Sequence, residues 1–287
     1  MYEKEVEVAL KLTRRAGTIA LRYYQRHSRV QLKEGRSPVT AADQKIELLL
    51  TEQLARLFPH DRIVGEEHGF HQGHPGRFWL IDPIDGTRMF IHKTGHFSTM
   101  IALVDHGLPV VGVIHAPVRQ KTFFAIRGHG SYVQRGSRRR KLRVRHDIGW
   151  LRQSTLCVTH PRLQRSTVHT LSHEIRQHLG AKNALVTGSA GFDFCAVAEG
   201  RATVSVMANP RIAIWDTAAG QVIVEEAGGV VSDLSGQPLQ YRWGNAAVRL
   251  GTVATTPSLR AEVLSALKAM KAGEKFHRLK RRLLHRT

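Results

Sequence analysis

Three acidic clusters carry the residue types that can do chemistry in this chain. They are Gly65-Glu66-Glu67, Asp82-Pro83-Ile84-Asp85-Gly86-Thr87 and Trp215-Asp216-Thr217-Ala218-Ala219-Gly220. On a regular strand, two aspartates three residues apart point to opposite faces. Pro83 fixes φ and removes a backbone donor, and Gly86 permits a tight turn, so the chain must bend here. The bend lets Asp82 and Asp85 converge and leaves the Ile84 carbonyl free. Two close carboxylates repel unless a cation lies between them. Oxygen donors from aspartate, glutamate and a backbone carbonyl suit Mg²⁺, whereas zinc would want His or Cys.

Each cluster alone also has a structural reading. Asp-Pro-x-Asp-Gly is a common turn, Asp216 fits the N-cap of a helix that Gly228 ends, and Glu66-Glu67 fits a surface pair. Their joint occurrence at strand exits and helix starts favours one shared site, because acids are scarce: 23 against 43 Lys and Arg. Competing motifs are absent. There is no Walker A sequence, and Gly128-His129-Gly130 lacks the third glycine and the βαβ setting of a dinucleotide site. Gly188-Ser189-Ala190-Gly191 has the wrong spacing for a serine-hydrolase elbow. His68, His71 and His74 share one loop without matching Cys, which reads as polar surface. Cys195, Trp79 and Trp215 read as core.

The elements that must position these clusters follow from hydrophobic period. Helical spacing predicts helices over Glu3 to Tyr24 and Ala41 to Leu57, the second stopped by Phe58-Pro59. A short strand is expected around Arg62 to Gly65, then a polar loop from His68 to Gly76, then a buried strand from Phe78 to Ile81 that ends at Asp82-Pro83. Ser98 to Val104, Val110 to Ala116 and Thr122 to Ile126 alternate like antiparallel strands. Beyond Leu156, strands and helices alternate: strands at 156–159, 184–187, 202–206, 230–233 and 252–255, helices near 166–179, 192–199, 216–227 and 258–271. The expectation is an α/β protein with an α+β N-terminal half (1–150), an α/β C-terminal half (151–272) and a basic tail (273–287).

The chain has 287 residues, a formal net charge of +20 and 42% apolar residues, the mix of a globular protein with a sizeable core. Much of the charge is local: Arg135 to Arg145 and Lys268 to Thr287 carry 14 of the 20 net charges. These stretches read as a solvated loop and tail, with weak binding to nucleic acid or anionic surfaces as the sharper alternative. No apolar run is long enough to span a membrane, and the first twenty residues lack the apolar core of a signal peptide. Two cysteines cannot build a disulfide scaffold, so a cytoplasmic location is expected.

Taken together, GEE, DPIDGT and WDTAAG, in this order and spacing, resemble the inositol monophosphatase family of metal-dependent, lithium-sensitive phosphatases. The resemblance runs from Val39-Thr40-Ala41-Ala42-Asp43 to Glu226-Ala227-Gly228-Gly229-Val230. It implies a layered α-β-α-β-α sandwich, a homodimer, and hydrolysis of a small phosphorylated metabolite. Carried over by position, it implies that Glu66, Asp82 and the Ile84 carbonyl bind a first Mg²⁺, and that Asp82, Asp85 and Asp216 bind a second. Asp43 and Thr87 would orient and activate the attacking water. Backbone N–H groups of Gly86 and Thr87 would hold phosphate oxygens. Gly188, Ser189 and Ala190 match the segment that contacts the substrate's alcohol part, and Glu67 would support the metal ligands indirectly.

Departures from the family pattern bear on substrate. Arg88-Met89-Phe90 follows DGT where Thr-Asn-Phe is usual, and Asn209 stands where inositol phosphatases carry a sugar-contacting glutamate. Phe90-Ile91, Phe97, the Phe194 to Gly200 stretch and WDTAAG are more similar to the 3′(2′),5′-bisphosphate nucleotidase branch, although His96 stands where that branch often has glutamate. Histidinol-phosphatase and fructose-1,6-bisphosphatase activities are further alternatives within the family. A nucleic-acid-binding relative that has lost catalysis is the non-enzyme alternative, and the complete set of matched metal ligands argues against it.

Overall fold

The computed structural model describes residues 1–25, 30–32, 38–71, 73, 75–158, 174–209, 212–248, 250–271, 274, 275 and 278. Val6, Ala9, Leu12, Ala16 and Ala20 lie on one buried stripe of α1 (Glu3–Tyr24), and Ile46, Leu50 and Leu54 on that of α2 (Ala41–Leu57). The stripe at period 3.6 is what drives both helices onto a sheet. Thr40 caps α2 by accepting the Ala42 and Asp43 N–H groups, while the Asp43 side chain accepts the Thr40 N–H, a reciprocal capping box.

Among the described residues, the sheet under α1 and α2 has eight strands. In chain order they are β3 (Arg62–Gly65), β4 (Gly69–His71), β5 (Arg77–Asp85), β6 (Ser98–Asp105), β7 (Leu108–Ala116), β8 (Lys121–Ile126), β9 (Gly130–Arg135) and β10 (Arg138–Lys141). The spatial order is β10-β9-β8-β7-β6-β5-β3-β4, antiparallel except where β3 runs parallel to β5. A small hairpin of β1 (Val30–Leu32) and β2 (Pro38–Thr40) precedes α2.

A second sheet follows, built from β11 (Thr155–Val158), β12 (Asn183–Val186), β13 (Val204–Met207), β14 (Val230–Ser232) and β15 (Thr252–Thr255) in the order β12-β11-β13-β15-β14. Between the two sheets lie α5 (Ala190–Ala198) and α6 (Ile214–Glu226), buried on most faces. A helix apolar nearly all round belongs between two layers, and AGFDFCAVA and IWDTAAGQVIV are such sequences. The outer face of the second sheet is covered by α4, described over 174–179, and α7 (Arg260–Ala269), with Ile175, Leu179, Val263 and Leu267 in that core. The result is the expected five-layer α-β-α-β-α sandwich. Trp79, Phe90, Phe97 and Phe194 are its largest fully buried side chains. Each such side chain contributes on the order of 1.5–3 kcal/mol by leaving water.

Four expectations are corrected. The strand ending at Asp82-Pro83 instead continues through the motif to Asp85 as β5. The polar loop from His68 contains β4, paired with β3; the side chains of His71 and His74 lie outside the described residues. The basic run at Arg135 is no loop but the outer hairpin β9–β10, where Arg139 stacks over Tyr132 at 3.7 Å. Asp216 is the third residue of α6, not its N-cap, which is Ala213. The first part of the helix expected near 166–179, and nearly all of the basic tail, lie outside the described residues.

Candidate active site

The conflict between strand geometry and convergent aspartates is resolved by a bulge. Asp82 pairs with Met100 and Asp85 with Ser98, so three steps along β5 match two along β6. One inserted residue flips the following side chains to the other face, which puts Asp82 and Asp85 on the same side. The Thr99 hydroxyl holds the bulge by donating to the Pro83 carbonyl at 2.9 Å. Gly86 then turns the chain at φ 83° into α3 (Thr87–Ile91). A side chain there would collide with Ser189 and with the His96 carbonyl.

Asp216 joins the pair from α6. Its Oδ2 accepts the Ala213 N–H at 2.6 Å, fixing the carboxylate over the first turn. Carboxylate oxygens of Asp82, Asp85 and Asp216 all lie within 4.8 Å of one another. Burial pushes all three carboxyls above the ordinary range. Glu66 adds to the rise at Asp82 and at Asp216. Asp43 also acts on Asp82.

The surroundings of Asp82 and Asp85 differ in a way that matters. Asp85 accepts the Ala190 N–H on one oxygen and the Gly191 N–H and Ser98 hydroxyl on the other, at 2.9, 2.9 and 2.8 Å. Donors from the first turn of α5 favour its charged form and oppose the effect of burial. Asp82 has no such set, and its Oδ1 is buried with no hydrogen-bond partner among the described residues. A buried, unsatisfied carboxylate oxygen facing other carboxylates is costly unless a cation meets it. Hard oxygen donors and an orphaned acceptor at the centre fit Mg²⁺.

The remaining candidates fall as follows. The Ile84 carbonyl accepts the Thr87 hydroxyl at 3.2 Å, which uses one of its two lone pairs. Asp43 is fully buried, with Oδ2 taken by Thr40. Ser189 caps α5 and, with Ala190, braces Asp85, while Gly188 packs on Met89 of α3. Asn209 follows β13, its carbonyl accepting the Ile212 N–H; Pro210 and Arg211 lie outside the described residues.

Sequence reasoning missed Glu47. Its carboxylate is fully buried under the GEE turn, where Oε2 accepts the Glu67 N–H at 2.8 Å and Oε1 the His68 N–H at 2.6 Å. The His68 ring adds a contact at 3.0 Å. One turn of α2 after Asp43, Glu47 fixes the strand exit that carries Glu66. The signal was available as a second acid on the apolar face, one turn after Asp43 and beside Ile46 and Leu50.

The model of the inositol monophosphatase family matches residues 1–271, nearly the whole chain. The chain belongs to the inositol monophosphatase family. Among curated members, the 3′(2′),5′-bisphosphate nucleotidase CysQ of Aggregatibacter actinomycetemcomitans is 35% identical, covering 81% of this chain and 85% of its own. The histidinol-phosphatase of Mycobacterium tuberculosis is 33% identical, covering 94% and 100%. Two solved structures share the fold. The suhB protein of Bartonella henselae has a TM-score of 0.81 at 27% identity, covering 93% of this chain and 99% of its own. The IMPase of Thermotoga maritima has a TM-score of 0.79 at 27% identity, covering 96% and 100%. Both curated relatives are named as phosphatases, and the three clustered carboxylates of this chain could hold a metal ion.

Proposed function

We propose that the chain is a Mg²⁺-dependent phosphatase that hydrolyses a small phosphate monoester at the Asp82–Asp85–Asp216 cluster. The observation that carries this reading is the set of three carboxylates within 4.8 Å, with the buried Oδ1 of Asp82 left without a partner among the described residues. Asp82, Asp85, Asp216, Glu66 and the Ile84 carbonyl would hold the metal. Bound there, Mg²⁺ supplies positive charge to a phosphate dianion and to the departing alkoxide. Asp43 and Thr87 would orient the attacking water and take its proton as its oxygen bonds to phosphorus and the ester P–O bond breaks. The Gly86 and Thr87 N–H groups would hold phosphate oxygens. Lithium inhibition, a cytoplasmic homodimer and an alcohol contact at Gly188, Ser189 and Ala190 belong to the same reading.

Within this reading, the substrate carries a second anionic group. Asn209 is neutral, so it does not repel a second phosphate as a glutamate would, and Arg88 on α3 adds positive charge just past the turn. Similarity to a bisphosphate nucleotidase supports this choice. The test is kcat/KM across 3′-phosphoadenosine 5′-phosphate, fructose 1,6-bisphosphate, histidinol phosphate and inositol 1-phosphate. A bisphosphate should lead, and Asn209→Glu should narrow its lead by about 1–3 kcal/mol, typical of one misplaced polar contact. If inositol 1-phosphate or histidinol phosphate leads outright, the argument from Asn209 and Arg88 fails.

A further inference from the structure

A cavity of about 510 Å³ lies beside the candidate active site, and none of the acidic-cluster residues lines it. Its rim carries four cations, Arg119, Lys121, Arg135 and Arg201, against one carboxylate, Glu199. Glu199 is almost fully buried and already serves three cations: Lys121 at 2.7 Å, Arg201 at 2.9 Å and Arg140 at 3.4 Å. No carboxylate bridges Arg119 or Arg135 among the described residues. Instead, Arg119 donates to Nε2 of His96 at 2.8 Å, and Nδ1 of His96 donates to the Thr187 carbonyl at 3.2 Å. Arg119 donates only to a ring nitrogen that is unprotonated, so this pair fixes His96 as the neutral Nδ1–H tautomer. A cation is thus held at the rim by a neutral group, with its charge uncompensated.

The floor has the opposite character. Ile114, Phe123, Leu185 and Phe192 line it, and the Phe192 ring lies 5.2 Å from that of His96. Guanidinium groups that no carboxylate neutralises, above an aromatic and aliphatic floor, recognise a ligand with an anionic head and a flat or apolar body. We propose that this cavity binds a nucleoside phosphate, its phosphates on Arg119 and Arg135 and its base against the Phe123–Phe192 floor, at a site separate from the acidic cluster. The inference gives the basic hairpin β9–β10 a role, since Arg135 stands on the rim and Arg140 helps to hold Glu199.

The experiment is calorimetric titration of the full chain with adenosine 5′-diphosphate in EDTA, which removes metal-dependent binding. Wild-type protein should bind at one saturable site, about fivefold or more tighter for ADP than for inorganic pyrophosphate. Arg119→Ala and Arg135→Ala should each weaken binding about tenfold. Arg138→Ala removes the same charge from an exposed strand position outside the cavity, and should change binding less than about twofold. Asp82→Asn should leave it unchanged, and thermal melting of each variant checks its fold. The proposal is overturned by absence of saturable ADP binding, by equal affinity for pyrophosphate, or by an Arg138→Ala effect as large as that of Arg135→Ala. Loss of binding in Asp82→Asn would also overturn it, placing the nucleotide in the acidic site. Any of these results leaves the phosphatase reading standing.

Discussion

Gly191 donates its backbone N–H to Oδ2 of Asp85 at 2.9 Å, joining residues 106 positions apart. The bond ties the bulged strand of the larger sheet to the first turn of a helix packed between the sheets. The site is therefore assembled between two parts of the chain, and the orientation of Asp85 depends on how closely α5 approaches. A Cβ at position 191 would lie 2.7 Å from that same oxygen and 2.6 Å from the Ser98 hydroxyl. Gly191→Ala should displace Asp85 and raise the Mg²⁺ concentration for half-maximal activity about tenfold, at the cost of one or two charge-assisted bonds. A Mg²⁺ titration of initial rates checks this.

Asp43 and Thr87 are expected to act on the attacking water. Asp43→Asn and Thr87→Ala should lower kcat by about 10²–10⁴-fold with little change in KM, the range for losing a general base. Steady-state kinetics separate this from simple binding, which would move KM alone.

Glu47 satisfies two part-buried backbone donors and the His68 ring. Glu47→Ala leaves the Glu67 and His68 N–H groups unsatisfied, which should cost about 1–3 kcal/mol of stability each where they stay dry. Glu47→Gln keeps acceptor capacity and should retain most of that stability. Both variants loosen the turn that carries Glu66, so metal affinity should fall in the order wild type, Gln, Ala. Isothermal titration with Mg²⁺ and a thermal melt measure the two effects separately.

Asp193 is fully buried in α5, and burial pushes its carboxyl up to about 7 from 3.8, with the Thr187 and Ser205 hydroxyls acting against the rise. A raised folded pKa means the native state binds the proton more tightly than the unfolded chain. Its stabilising contribution is complete below about pH 4 and is lost as pH rises through about 7. Asp193→Asn should therefore flatten the fall in melting temperature between about pH 5 and 8, and gain most at the alkaline end. Melts of both proteins in saturating Mg²⁺ isolate this group from the metal-site carboxylates.

Much of this arrangement was legible in the chain itself. The helices over Glu3–Tyr24 and Ala41–Leu57 follow from apolar spacing, and Pro83 with Gly86 announced a bend that brings Asp82 to Asp85. What was not legible is long-range. The bulge depends on register with β6, which Pro83 permits but does not fix. The bracing of Asp85 by Ala190 and Gly191 needs the tertiary approach of α5. Glu47 looked like any acid on a helix because its partners are backbone groups twenty residues away. Charge counting also misjudged the run at Arg135, because a strand rich in arginine has no period that separates it from a solvated loop.

The most direct measurement is phosphate release from a bisphosphorylated substrate by wild type, Asp82→Asn and Asp216→Asn, each with EDTA and across a Mg²⁺ titration. Wild type should turn over only with metal. Asp82→Asn should be inactive at every Mg²⁺ concentration while melting cooperatively, and Asp216→Asn should recover in part at high Mg²⁺. Turnover that survives EDTA, or near-normal rates in Asp82→Asn, would contradict a metal centre built on Asp82.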